Sequence, residues 1–330
     1  MKGIQEIYND YKKKIDIAIS EVVHKDRPVS LYDPLKYILS GGGKRIRPMM
    51  LIFSCEAAGG KAEDCLNAAV AIELLHNFTL VHDDIMDNAD SRRGKETIHK
   101  KWNENVAILC GDHLIGLAYE YLFKTNSQNI RKIAQVFTDG IIEVCEGQSF
   151  DKEFENENNV SVEDYLNMIS KKTAKMLETS AIIGGLIGDG DPQKINSLKY
   201  FASNIGIAFQ ILDDYLDIAA DEAEFGKKIG GDIIEGKRTF LLLKAKEFVS
   251  DKTDAGVLET VFKKNYPENR HIELISDVKQ IYEKYGVTEC AKAEIENYTS
   301  KAEEYLDALN DEYSKAKLKW LSQMLMGRTY

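Results

Sequence analysis

Only five prolines, at positions 28, 34, 48, 192 and 267, interrupt a chain of 330 residues, and between them apolar residues recur at helical spacing with little strand-like alternation. A helix interior cannot take proline without losing a hydrogen bond, so this scarcity and this periodicity together predict an all-α fold. Helices are expected over about 3–24, 34–40, 47–58, 63–88, 104–124, 129–155, 161–188, 193–219, 237–248, 254–264 and 269–325, the last of them interrupted. Asp33-Pro34, Ser161 with Asp164, and Asp191-Pro192 supply starts, and Gly41-Gly42-Gly43, Gly59-Gly60 and Gly188 supply stops. No Ser-, Gly- or Pro-rich linker divides the sequence, so residues 1–330 are expected to form a single helical domain.

Two of these helical stretches end in the same acidic signature. Residues 71–82, AIELLHNFTLVH, run into Asp83-Asp84-Ile85-Met86-Asp87, and residues 205–212, IGIAFQIL, run into Asp213-Asp214-Tyr215-Leu216-Asp217. At about 100° per residue, positions i and i+4 share a helix face, so Asp83 and Asp87 point one way, as do Asp213 and Asp217. Like charges so placed repel, and a bound cation relieves the repulsion. Carboxylate oxygens suit Mg²⁺, which takes one or two of them and fills its other positions with water and phosphate oxygens. A solvated acidic helix face would instead interleave polar residues upstream at the helical period, which these apolar stretches do not. The alternating ligands and central glycine of an EF-hand are missing from both.

The net charge of −11, from 54 acidic and 43 basic residues, argues against non-specific nucleic-acid binding. An anionic ligand must therefore rely on metal or on local basic clusters. Cys55, Cys65, Cys110, Cys145 and Cys290 form no CxxC pair and are odd in number, as expected of reduced thiols in a cytoplasmic protein. The N-terminal stretch carries charges throughout, unlike a signal peptide, and no uncharged run reaches the roughly 18 residues that span a bilayer.

Three basic clusters answer the acidic ones. Gly41-Gly42-Gly43-Lys44-Arg45-Ile46-Arg47-Pro48 is either an anion-binding loop or a helix stop followed by a solvated turn. Arg92-Arg93-Gly94 follows the first acidic motif, and Gly226-Lys227-Lys228 through Gly236-Lys237-Arg238-Thr239 follow the second. Gly231 to Lys237 spells the start of a phosphate-binding GxxxxGK loop, but Arg238 stands where Ser or Thr is needed and helix, not strand, precedes it. Each acidic helix end is thus expected to face a basic loop, an arrangement suited to diphosphate. Counting back from Asp83, His76 lies about 20° off the same face; it looks into the same cavity or is a satisfied core histidine.

Taken together and in order, GGGKRIRP at 41–48, LLHNFTLVHDDIMD at 74–87, RRG at 92–94, KTAKM at 172–176, FQILDDYLD at 209–217 and FGKKIGGDIIEGKRT at 225–239 resemble the trans-type isoprenyl diphosphate synthases, the head-to-tail prenyltransferases. The resemblance is strong from about residue 30 to residue 240. It implies the isoprenoid synthase fold, helices around a deep central cavity, a homodimer and three Mg²⁺ ions. Asp83 and Asp87 would ligate two ions on the allylic diphosphate and Asp213 the third, with Asp84, Asp214 and Asp217 supporting. Arg92, Lys172, Lys227 and Lys237 would contact that diphosphate, while Lys44, Arg47, His76 and Arg93 hold isopentenyl diphosphate. Thr173 and Gln210 would face the allylic cation formed when the C–O bond ionises, and the departing diphosphate would accept the proton.

In this family a bulky residue four or five positions before the first Asp limits product length. Phe78 and Thr79 occupy those positions here, with Leu75 and Ile72 deeper. A single Phe at the fifth position resembles archaeal-type geranylgeranyl diphosphate synthases, which implies a C20 product; farnesyl diphosphate or a C15/C20 mixture is the alternative. A terpene cyclase shares fold and metals but usually lacks the anchors Lys44, Arg47 and Arg93. A non-catalytic subunit of a heteromeric synthase typically loses acidic motifs, and both are intact here. The tail, with Arg328 as its one cation, departs from more basic relatives.

Overall fold

The computed structural model describes residues 3–219 and 230–327. Apart from one two-residue hairpin, its regular elements are helices, as the periodicity predicts. In chain order they are α1 (Ile4–Ser20), α2 (Val29–Leu39), α3 (Ile46–Ala58), α4 (Leu66–Met86), β1 (Ser91–Arg92), β2 (Lys95–Glu96), α5 (Ile98–Lys101), α6 (Glu104–Phe123), α7 (Ile130–Phe154), α8 (Val162–Ile169), α9 (Lys175–Ile187) and α10 (Pro192–Ala219). After the undescribed residues come α11 (Gly231–Glu235), α12 (Phe240–Phe248), α13 (Lys252–Phe262), α14 (His271–Lys284), α15 (Val287–Tyr305) and α16 (Glu312–Met326). The strands pair antiparallel, Ser91 opposite Glu96 and Arg92 opposite Lys95.

Several boundaries follow from caps that the sequence displays. Ser161 and Asp164 form a reciprocal capping box at the start of α8, and the Asp191 carboxylate accepts from the Lys194 backbone N–H at the start of α10. Gly59 closes α3 at φ 113°, a conformation that costs glycine little. Asp33-Pro34, by contrast, does not start a helix. Pro28 in extended conformation precedes α2, and Pro34 lies inside it. Pro34 is the sixth of the 11 residues of α2, where its fixed φ fits helical geometry and its missing N–H costs one helix bond.

The helix expected over 161–188 is broken by a π-helical turn at Ser170–Ala174. No proline or glycine within the segment marks it. The turn is shaped instead by neighbours: a Cβ added at Gly147 on α7 would lie 2.3 Å from the Lys172 backbone nitrogen, and one at Gly206 on α10 would lie 2.5 Å from the Ala174 Cα. Two helices therefore touch this backbone where their own side chains are absent.

The chain folds into two compact units. The first comprises residues 1–137, 179–198 and 309–321. In it α4 packs most extensively along α6 and next against α3, burying Ile72, Leu74, Leu75, Met49, Leu51 and Phe53. The second comprises residues 138–178, 199–308 and 322–330. Its core gathers Tyr165, Met168, Ile211, Ile218, Phe240, Leu241, Val278 and Ile281 from α8, α10, α12 and α14. Each acidic motif thus sits at the edge of its own unit's apolar core.

Candidate active site

In the first unit, the acidic motif ends α4, with Asp87 as its C-cap. Backbone carbonyls at a helix C-terminus carry partial negative charge, so the carboxylates there add to a field that attracts cations. The three aspartates differ in burial. Asp87 is exposed, Asp83 half-buried and Asp84 buried. Asp84 is held by Arg92, whose Nε donates to Oδ1 at 2.7 Å, while Arg92 Nη2 reaches Asp83 Oδ2 at 3.5 Å. Burial pushes the Asp84 carboxyl up to about 6, against the pull of Arg92 and with smaller contributions from Asp83 and Asp87.

A basic cluster occupies the same unit. The glycine loop before α3 is pinned rather than merely solvated: the Tyr8 hydroxyl donates to the Lys44 carbonyl at 2.6 Å, and Arg93 Nη1 donates to the Gly42 carbonyl at 2.6 Å. Arg47 Nη1 approaches His76 Nε2 at 3.3 Å. An arginine can only donate, so Nε2 accepts and the imidazole proton sits on Nδ1. Burial, then the charges of Arg47, Arg93 and Arg92, drive the His76 pKa well below its ordinary value, so the ring is neutral. Burial also lowers Arg47, to about 10, with Glu73 opposing.

Arg47 Nε–H and His76 Nδ1–H are both shielded from solvent and make no hydrogen bond within the protein. Two buried donors left open beside further cations can bind an anion with several acceptor oxygens. His76 is therefore not a satisfied core residue, the alternative that spacing leaves open.

The candidate chain-length residues line up along α4. Phe78 is buried with its ring edge-on to His82, centroids 4.7 Å apart. Ile72 and Leu75 are buried toward the N-terminus, and the Thr79 hydroxyl donates to the His76 carbonyl at 2.8 Å, within its own helix.

In the second unit, a cleft of about 150 Å³ is lined by Asp213, Asp217, Asp232, Asp151, Lys172 and Lys237, with Thr173 and Gln210. The middle aspartate is again the buried one. Asp214 accepts from the Tyr165 hydroxyl at 2.6 Å, from Gln210 Nε2 at 3.1 Å and from the Phe240 backbone N–H at 3.2 Å. Burial, then the charge of Asp232, raises its pKa. Asp217 accepts from the Asp232 backbone N–H at 3.1 Å, which ties the start of α11 to the acidic motif.

The π turn places Lys172 and Thr173 on the cleft wall. Lys172 pairs with Asp151 at 2.5 Å, and the Thr173 hydroxyl donates to Gln210 Oε1 at 2.8 Å. Lys237 is shared between Asp232 at 3.4 Å and Glu235 at 2.9 Å. Arg238, in the basic loop expected to face phosphate, is structural instead: it is buried and donates to the carbonyls of Glu157, Gly236 and Phe262. Lys227 and Arg328 lie outside the described residues. Asp151 and Tyr165 join the site from stretches of chain that carry no motif of their own, whereas Asp232 lies within the 225–239 motif, where the basic residues around it draw the reading.

The donor set around both motifs is carboxylate oxygen. Among the described residues no three acidic, histidine or cysteine side chains close into a cage. Each motif instead offers carboxylates on one helix face, the kind of set that fits Mg²⁺ completed by water and phosphate oxygens.

Two helix ends bearing carboxylates and a separate set of anion donors, on an almost wholly helical chain, have the chemistry that an enzyme acting on diphosphates with a divalent metal needs. The sequence matches the polyprenyl synthetase family over residues 28–284. It is 35% identical to a short chain isoprenyl diphosphate synthase of Methanothermobacter thermautotrophicus, over all of both chains. It is 37% identical to a geranylgeranyl diphosphate synthase of Methanosarcina mazei, over all of this chain and 99% of that one. The fold is similar to the crystal structure of a geranylgeranyl pyrophosphate synthase, with TM-score 0.91, 39% identity and full coverage of both chains. The chain belongs to the polyprenyl synthetase family and has the isoprenoid synthase fold.

The neutral, buried His76 makes a pH signature. Its folded pKa lies below the unfolded value near 6.5, so the unfolded state takes up the proton first and stability is lost as pH falls below about 6.5. His76→Gln keeps a neutral polar side chain and removes this loss. Thermal melts from pH 7.5 down to 5 should show the native protein falling relative to His76→Gln by up to ~1.4 kcal/mol per pH unit; parallel curves would show that the ring is not buried neutral.

Proposed function

We propose that the chain is a Mg²⁺-dependent trans-prenyltransferase that condenses isopentenyl diphosphate head-to-tail with allylic diphosphates of C5 to C15, giving mainly geranylgeranyl diphosphate. The observation that carries this reading is the pair of buried, open donors at Arg47 and His76, in a chain that also keeps both acidic motifs. One substrate needs only its diphosphate anchored, and donors suffice. The other must lose its diphosphate.

For the leaving group, Asp83 and Asp87 would hold two Mg²⁺ ions and Asp213 a third, with Asp217 beside it. When bound, the metal supplies Lewis acidity to the departing diphosphate. Arg92, Lys172 and Lys237 stand beside these carboxylates as cations for the same group. Lys44 and Arg93 join Arg47 and His76 as anchors for the isopentenyl diphosphate. Asp84 and Asp214 act as supports, since each is buried and consumed by hydrogen bonds inside its own unit. Thr173 and Gln210 present oxygen dipoles to a carbocation, with Gln210 oriented by its bond to Asp214. No side chain is required as base, because the departing diphosphate can take the proton.

Phe78 sets the floor for the growing chain in this reading, with Ile72 and Leu75 below it. The C20 preference is supported by the single Phe before the first motif and by the relatives named geranylgeranyl diphosphate synthase. Farnesyl diphosphate, or a mixture, is the alternative product.

A homodimer goes with this reading. Helix α6 is long and apolar enough to cross a bilayer, and only 33% of that stretch is buried. Ile108, Leu109 and Phe123 on it are exposed. A second copy of the chain is the occupant that the family suggests for this face. All five cysteines are free, as suits a cytoplasmic setting.

Asp83→Ala and Asp213→Ala should each lower condensation by ~10²-fold or more while far-UV circular dichroism stays unchanged; wild-type turnover in either variant contradicts the metal roles. Phe78→Ala should shift the product from geranylgeranyl diphosphate to longer chains, read by chromatography of the dephosphorylated prenols. An unchanged product would move the floor to Leu75 or Ile72. Leu109→Glu should convert a dimer to monomer in sedimentation equilibrium; a native chain that sediments as monomer removes the dimer.

A further inference from the structure

Arg45 stands between two of the proposed anchors, Lys44 and Arg47, yet its own guanidinium is engaged by two carboxylates of the protein. Its side chain is 3% exposed. Nη1 pairs with Glu73 Oε1 on α4 at 2.5 Å, and Nε with Asp16 Oδ1 on α1 at 2.8 Å. Asp16 is in turn held by Lys12 at 2.7 Å. The backbone of Arg45 adopts the left-handed conformation, φ 54° and ψ 38°, immediately before α3. A residue with a Cβ is uncommon there and persists only where its surroundings fix it.

Glu73 is also placed to matter. It lies three residues before His76, so the two share a face of α4 about one turn apart. Its carboxylate acts electrostatically on Arg45, Arg47 and Arg93 together. Without that charge the cluster of guanidiniums would repel itself. Glu73 and its side chain are buried, so this counter-charge is poorly screened by solvent.

We propose that Arg45, clamped between Asp16 and Glu73, is a positioning residue that fixes the loop conformation in which Lys44, Arg47 and His76 converge on the diphosphate of isopentenyl diphosphate. This rests on the functional reading above. Arg45 does not touch the substrate; it sets the backbone on either side of itself. A lysine there keeps the charge but cannot reach two carboxylates from two helices with a fork of donors. Asp16, half-exposed, contributes the weaker half of the clamp.

The test is calorimetric titration of the full chain with isopentenyl diphosphate, and separately with geranyl diphosphate and Mg²⁺. Arg45→Lys should weaken isopentenyl diphosphate binding ~10-fold and Asp16→Asn ~3-fold, while geranyl diphosphate binding changes less than ~2-fold. Asp16→Asn carries the test if Arg45→Lys fails to fold, as judged by circular dichroism. Equal weakening of both ligands would make Arg45 a general structural residue and overturn the proposal. So would unchanged isopentenyl diphosphate binding in folded variants, which leaves the functional reading intact. If the unaltered chain binds no isopentenyl diphosphate, that reading falls and takes the proposal with it.

Discussion

A carboxylate that is taken out of water must be paired, and three such pairings organise this protein. Asp84 is held by Arg92, Glu73 by Arg45, and Asp214 by a tyrosine hydroxyl, an amide and a backbone N–H. The Arg45–Glu73 and Tyr165–Asp214 ties join elements 28 and 49 residues apart, and removing Arg45 would strand the buried Glu73 carboxylate at a cost of about 3–5 kcal/mol. Their stabilising value against an apolar substitute is small by the same reasoning. What they contribute is direction. With the middle aspartate of each motif held in its own unit's core, the first and third share a different face of their helix.

The same logic separates the two kinds of anion site. In the proposed reading, the chain presents carboxylates where a bond to diphosphate must break, and these repel phosphate unless a divalent cation lies between. Where diphosphate would only be gripped, the same reading has it meet donors: Arg47, Arg93 and a histidine kept neutral by burial among arginines. A charged imidazole there would add to the repulsion among guanidiniums. A neutral one adds a directed N–H instead, and Arg47 selects the tautomer that provides it.

The fold class and most helices were legible because periodicity and caps are local. Ser161 with Asp164 and Asp191 with Pro192 act within one turn, and a sequence displays them directly. Both acidic motifs and the glycine-rich basic loop were legible for the same reason. Pro34 misled because a proline tolerated inside a helix looks like one that starts it. Arg238 misled because charge in a loop does not reveal burial; three carbonyl acceptors, two of them distant in sequence, decide its place. Arg45, Asp16, Asp151 and Tyr165 act through partners 21 to 49 residues away, and no short pattern contains such a pair.

The π turn at Ser170–Ala174 shows where local reading ends. Its own residues favour continuous helix, and Lys172 and Thr173 would then follow the regular 3.6-residue progression. A π turn inserts one extra residue per turn and so rotates these side chains relative to the helices on either side. Nothing within SKKTA encodes that. The signal is divided between Gly147 and Gly206, on two other helices, where any Cβ would strike the turn's backbone. Close approach from both sides leaves the segment little room to relax to α geometry, so the placement of a cation and a hydroxyl on the cleft wall is encoded by the absence of side chains elsewhere.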